Sequence, residues 1–191
     1  MRQFNHKKAV QALNLLAQWS GGGINKMKAL KLIWLADRFH LRKYGRPILQ
    51  DYYVAMENGP VASATRDILQ NNRLGVSEDA LRYAEGFITE NGLYDYKSVG
   101  DAVNKVFSKS DLESLKAVFD TYGHLGKYDL RDLTHNFPEW KRWEEGLKNK
   151  EFYAHPMDYN DFFLNADNDQ PLFNEDEKEL ELVHNLFLRK D

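Results

Sequence analysis

Asn25-Lys26-Met27-Lys28-Ala29-Leu30-Lys31-Leu32-Ile33-Trp34-Leu35-Ala36-Asp37-Arg38-Phe39-His40-Leu41-Arg42-Lys43-Tyr44-Gly45-Arg46-Pro47 decides how the rest of the chain is read. Asn25 suits a helix N-cap, because a short polar side chain accepts from the N–H groups that the first turn leaves unpaired. From Leu30 to Ala36 apolar residues fall on nearly every face of a helical wheel, which places the middle of this helix inside the core. Gly45 suits the left-handed residue that closes a helix, and Pro47 prevents continuation. A helix from Asn25 to about Tyr44 with a buried centre is therefore predicted. Asp37 follows the apolar turn, so it is expected to be partly buried and to need donors, with His135, Tyr44 or backbone N–H groups as partners.

Upstream, Asn5 caps a predicted helix to about Ser20, with Val10, Leu13, Leu16 and Ala17 on one face. Gly21-Gly22-Gly23 then stops it; without a following Lys-Ser/Thr or a preceding strand, the triplet is a connection and not a phosphate loop. Downstream, Asp51 to Met56 reads as a strand by its aromatic and branched residues. Asn58-Gly59-Pro60 reads as a turn, with Pro60 opening a helix to about Gln70. Leu81 to Ile88 and Leu93 to Ser98 read as two strands about Glu90-Asn91-Gly92. Ser110 with Glu113 forms an expected capping box, Asp129 an expected cap, Pro138 a helix start presenting Trp140, and Asn174 with Glu177 the cap of a last helix faced by Leu180, Val183, Leu186 and Phe187. The fold class is α+β, predominantly α-helical: a helical core with a small antiparallel β-sheet inserted between helices. The expected organisation is one domain over residues 1–155 and an acidic extension over 156–191, whose terminal helix packs on that domain.

The 191 residues contain no cysteine, which excludes disulfides, thiolate zinc sites and a cysteine nucleophile. No run approaches the roughly 20 apolar residues of a spanning helix, and the first residues lack the apolar core of a secretory signal, so a cytoplasmic protein is expected. Net charge is −3, but residues 1–50 carry ten Lys/Arg against the single acid Asp37, whereas residues 156–191 carry three Lys/Arg against ten acids. Such asymmetry means either that the two ends complement each other within the fold or that the surface has two faces of opposite sign.

Three acid–histidine pairs stand three residues apart: Asp37/His40, Asp132/His135 and Glu181/His184. Two Glu-x-x-His pairs with two further carboxylates would build a di-iron site, but only the third pair has that form, and hydrogen-bonded or solvated pairs are the expectation. No Gly-x-Ser-x-Gly elbow or nucleotide fingerprint is present, so neither enzymatic activity nor any cofactor or metal is expected. Lys7, Lys8, Lys26, Lys28, Lys31, Arg38 and Arg42, with Lys43 and Arg46, form a basic region that suits either phosphate contacts of a DNA-binding regulator or an acidic protein surface.

The segment Ala36-Asp37-Arg38-Phe39-His40-Leu41-Arg42-Lys43-Tyr44-Gly45-Arg46-Pro47, continued by Asp51-Tyr52-Tyr53-Val54-Ala55-Met56-Glu57-Asn58-Gly59-Pro60-Val61-Ala62-Ser63, resembles the signature of the Panacea, or SocA-like, antitoxin family. Tyr122-Gly123-His124-Leu125 through Asp132-Leu133-Thr134-His135 and Trp140 resembles the later half of that domain, so the resemblance spans roughly residues 9–145. It implies an antitoxin of a toxin–antitoxin system. Such a protein neutralises a co-encoded toxin by direct contact, or hands it to a cellular protease as an adaptor. It implies no catalytic centre. By their chemistry Gly45 and Gly59 supply backbone freedom, Pro47 and Pro60 mark helix boundaries, and Tyr53 and Trp140 pack.

Overall fold

The computed structural model describes residues 3–166 and 170–189; Asp167, Asp169, Lys190 and Asp191, counted in the acidic extension, and Arg2, counted in the basic first 50 residues, lie outside these. Asn5 Oδ1 accepts from the Lys8 N–H at 3.1 Å and opens α1 (His6–Trp19), in which every residue from Ala9 to Ala17 is buried. The polar members of that run are satisfied: Gln11 accepts from the Val103 N–H and donates to the Tyr83 hydroxyl, and Asn14 donates to the Gly100 carbonyl. Gly21 and Gly22, at φ 83° and 106°, turn the chain into β1 (Gly23–Asn25), too short to show a pattern in sequence. Asn25 Oδ1 accepts from the Met27 and Lys28 N–H groups and starts α2 (Lys26–Tyr44), closed by Gly45 at φ 65°. Buried Trp34, at its centre, meets Phe137 and Phe162 edge-on, with ring centroids 5.1 and 6.1 Å away.

β2 (Tyr53–Met56) and β3 (Gly59–Ala62) form a hairpin about Glu57-Asn58, and α3 (Ser63–Leu69) follows. Pro60 thus lies inside a strand, not at a helix start. It is tolerated because β3 is an edge strand, where no partner needs its missing N–H. α3 has no side-chain cap of its own; Asp51, placed before the hairpin, accepts from the Ala64 and Thr65 N–H groups and the Thr65 hydroxyl. The strand expected from Leu81 is a helix, α4 (Glu78–Glu85), capped by Ser77 and buried through Ala80, Leu81 and Ala84. A run this short satisfies both periodicities, and the cap decides.

β4 (Ile88–Glu90) and β5 (Asp95–Ser98) pair with each other, and β5 pairs with β1, giving one three-stranded antiparallel sheet. α5 (Lys109–Tyr122) is capped by Ser108 with Asp111, two residues before the expected Ser110 and Glu113. α6 (Lys127–Thr134), α7 (Pro138–Lys141) and α8 (Glu144–Lys148) follow; Asp129 lies inside the first turn of α6 and accepts from the Gly126 N–H. β6 (Ala154–Pro156) adds to β2, completing a second antiparallel sheet in the order β3-β2-β6. A 3-10 turn (Tyr159–Phe163) leads toward α9 (Glu177–Leu188), capped by Asp176 instead of Asn174. Leu180 and Phe187 of α9 join the same core as α2, as do Phe162, Phe163 and Phe173 before it; Leu186 is exposed.

Candidate partner-binding cleft

The two halves of α2 use their polar side chains differently. In the C-terminal half Asp37 is buried and accepts from the Ile48 N–H at 2.7 Å, the Leu49 N–H at 3.1 Å and the Tyr53 hydroxyl at 2.8 Å. Of the expected partners the backbone N–H groups are the ones found, joined by Tyr53 and not by His135 or Tyr44; Tyr44 sits at the helix end against His40, ring centroids 4.6 Å apart. Buried Pro47 carries the chain back so that the next two N–H groups reach the carboxylate. Burial pushes the Asp37 carboxyl up to about 7 despite these donors. Arg38 Nε donates to Glu139 Oε1 at 2.6 Å, both side chains fully buried, and its Nη2 donates to the Leu164 carbonyl. Arg42 binds Glu175, Asn165 and the Phe162 and Leu164 carbonyls. The basic helix and the acidic extension complement each other inside the fold.

In the N-terminal half, Lys31 is buried and donates to the Pro60 carbonyl at 2.7 Å. Burial, then the nearby Arg131 charge, lowers its ammonium to about 7. Gly59, at φ 95°, presses against this amine: a Cβ there would sit 2.8 Å from Lys31 Nζ and 2.9 Å from Thr134 Oγ1. His135 stacks on Trp140 with centroids 3.6 Å apart, and Trp140 Nε1 donates to the Met56 carbonyl at 2.8 Å. Burial, with Lys31 and Arg131, lowers His135 to about 4. Lys31 of α2 thus meets, at one junction, the residues of the β2–β3 hairpin and the α6–α7 corner that carry the resemblance.

A cleft of about 1180 Å³ opens beside this junction, its walls the start of α2, the β2–β3 hairpin with α3 behind it, the β4–β5 turn, the start of α6 and residues 147–153. Met27, Leu30, Met56, Leu69, Leu147 and Phe152 contribute apolar surface. Leu93, Tyr94, Tyr128 and Tyr153 stand around it 75, 67, 57 and 78% exposed. Its cations are Lys26, Lys31, Arg66, Lys127, Lys148 and Lys150, against the acids Glu57 and Glu90.

Residues 30–141 match the family model described as Antitoxin SocA-like, Panacea domain, over more than half of the chain. The chain belongs to this family. No curated protein and no solved structure matches it. The matched span of the Panacea domain begins on α2 and ends with α7, so it contains the junction but not α1, the extension or the 147–153 wall of the cleft.

The seven cations expected at a partner surface are divided, three of them inside the matched Panacea span and four before it. Arg38 and Arg42 are buried with internal partners, and Lys31 is buried on the Pro60 carbonyl at the edge of the cleft, which corrects that expectation: a cation on an all-round apolar helix is enclosed with its counter-charge or acceptor. Lys8 binds buried Asp111 at 2.6 Å, and Lys28 donates to the Gly123 carbonyl at the end of α5. Lys26 pairs with Glu90 at 2.8 Å on the cleft wall, and Lys7 is exposed, its amine 5.9 Å from the Tyr83 ring. Exposed Asn58 lines the cleft at the hairpin tip. The acid–histidine pairs are not brought together: His40 faces the Arg46 carbonyl, Ser110 and Asp111, and His184 faces Asn160. Among the described residues no three His, Asp or Glu groups stand close enough to hold a metal ion. The cleft escaped sequence reading because its lining comes from five separated segments; the one local signal, apolar Leu93-Tyr94 directly after the Gly92 turn, was read only as the start of a strand.

Proposed function

We propose that this Panacea-domain protein is the antitoxin of a toxin–antitoxin pair, suppressing its toxin by stoichiometric binding at the cleft, with no chemistry of its own. The family supports the class of partner. The observation that supports this surface is the uncovered ring of Leu93, Tyr94 and Tyr153 around an apolar cleft, because aromatic anchors in concave sites carry most of the affinity at protein interfaces. The alternative of a DNA-binding regulator finds less support, since Lys8, Lys28, Lys31, Arg38 and Arg42, on which it drew, are bonded within the fold. No membrane-spanning helix stands in the way of a cytoplasmic setting: among the described residues none is long and apolar enough.

The test is co-expression with the product of the adjacent gene. Growth arrest by the neighbour alone, rescue by this chain and recovery of a complex are expected. Rescue that disappears in cells lacking a protease, with only transient binding, would assign the protein the adaptor role instead. A harmless neighbour and no recoverable complex would remove the antitoxin reading. Turnover of a substrate, lost in a folded single-residue variant, would overturn the absence of chemistry.

A further inference from the structure

We infer that the cleft is built for one chemical class of occupant: an acidic amphipathic segment of a partner protein, its apolar side chains on the methionine-lined floor and its carboxylates at the rim. The chain as a whole is acidic, at −3, yet the cleft carries Lys26, Arg66, Lys127, Lys148 and Lys150 around buried Lys31; Lys26 pairs with Glu90, Arg66 with Asp67 and Lys148 with Glu144, and with Glu57 as the one further acid of the lining, positive charge remains in excess. The sign of the cleft is therefore opposite to that of the molecule, the pattern that selects an oppositely charged partner. Three of those cations sit where a bound chain would pass. Lys127 lies over the Tyr94 and Tyr128 rings, Lys150 is exposed, and Lys148, also exposed, is held by Glu144 at 2.7 Å.

The apolar half of the argument comes from Met27 and Met56 on the floor and Leu93 at the rim. Methionine is unbranched and polarizable, and recurs where a surface must accept varied apolar side chains. Aliphatic side chains add nothing to phosphate recognition, so these residues favour a peptide over a nucleic acid. The volume agrees, since about 1180 Å³ exceeds the roughly 300–1,000 Å³ of small-molecule sites. The partner's identity as a toxin rests on the antitoxin reading above; the chemistry of the cleft does not.

Purified full-length chain is titrated, by fluorescence anisotropy, with four labelled probes. These are a glutamate-rich amphipathic peptide, the same apolar pattern with lysines, a polyglutamate peptide and a single-stranded oligonucleotide. The acidic amphipathic peptide is expected to bind at least about tenfold more tightly than the other three, and to weaken as salt rises from about 50 to about 300 mM. Lys127→Glu, Lys148→Glu and Lys150→Glu together should weaken it about tenfold, as should Leu93→Ala with Tyr153→Ala, whereas Lys105→Glu with Lys109→Glu, outside the cleft, should not. Circular dichroism confirms that each variant is folded. Equal binding of acidic and basic peptides, equal binding of polyglutamate, preference for the oligonucleotide, or no binding would each overturn the inference. Peptide binding as expected with no rescue of any neighbouring toxin would instead overturn the antitoxin reading and leave the cleft assignment standing. Rescue that survives the triple reversal would do the opposite.

Discussion

From Asp37 to Arg42, α2 commits nearly every polar atom to the fold, whereas from Lys26 to Lys31 the same helix lends side chains to an open cleft. Asp37 has three donors and Arg42 binds one side chain amide, one carboxylate and two carbonyls. Met27 and Leu30, by contrast, face space that no part of the described chain fills. The comparison separates two meanings of a charged residue on one helix: a counter-charge that locks distant segments together, and a surface group left for another molecule. Charge counting treats them alike, and burial tells them apart.

The largest effect should come from breaking the locked half. Arg38→Ala leaves Glu139 buried without its counter-charge, for a loss of about 3–5 kcal/mol read as a lower urea midpoint. Arg38→Met with Glu139→Leu should recover most of that loss, because replacing both members of a buried pair by apolar groups is close to neutral. If the double variant is as unstable as Arg38→Ala, the pair is not what the single substitution breaks. Leu32→Ala, at the fully enclosed centre of the helix, should cost about 2–5 kcal/mol. Near-parental thermal stability there would take α2 out of the core.

pH sharpens the comparison, because the two halves titrate with opposite sign. Asp37 has a folded value raised from 3.8 to about 7 by burial, so the folded state holds a proton that the unfolded state has released. The stability tied to it is present below 3.8 and lost as pH rises through about 7. Relative to the parent, Asp37→Asn should therefore lose less stability near neutral pH than near pH 4, by at most about 1.4 kcal/mol per pH unit. Lys31 is lowered from 10.5 to about 7, so its contribution is present above 10.5 and lost as pH falls through about 7. Urea midpoints of the parent should rise between about pH 7 and about pH 9 more than those of Lys31→Met. Parallel profiles would mean that this amine stays charged in the fold.

The smallest stability effect should come from the open half. Leu93→Ala with Tyr153→Ala should change stability by no more than about 0.5 kcal/mol, since both side chains are mostly exposed. The same pair should nevertheless weaken rescue of toxicity. A large loss of stability with unchanged rescue would reverse the roles assigned to the two halves.

The limits of sequence reading follow the same division. α2, its Asn25 cap and its Gly45 stop were legible because propensity, capping and pattern agree there. α4 was not, because Leu81 to Ile88 is short and apolar at both spacings, and β1 was hidden in three residues after glycine. Pro60 misled because its fixed φ suits an edge strand as well as a helix start. Asp51 passed unnoticed as the cap of α3, since its donors lie thirteen and fourteen positions away. The cleft is a tertiary object: Met27, Leu93 and Phe152 have no common sequence pattern, and only the folded chain makes them neighbours.

The reach of the two arginines also sets a clock on synthesis. Arg38 meets Glu139 across 101 positions, and Arg42 meets Glu175 across 133. Contacts this distant close late, since the intervening loop must be ordered first. At about 5–20 residues per second, the ribosome needs roughly 6–24 s to pass from Arg42 to Phe162, the nearest of its later partners. Through that interval α2 of the nascent chain carries two guanidinium groups with nothing to enclose them. The newborn protein is thus exposed to chaperones and proteases at the very element that its finished form hides most completely.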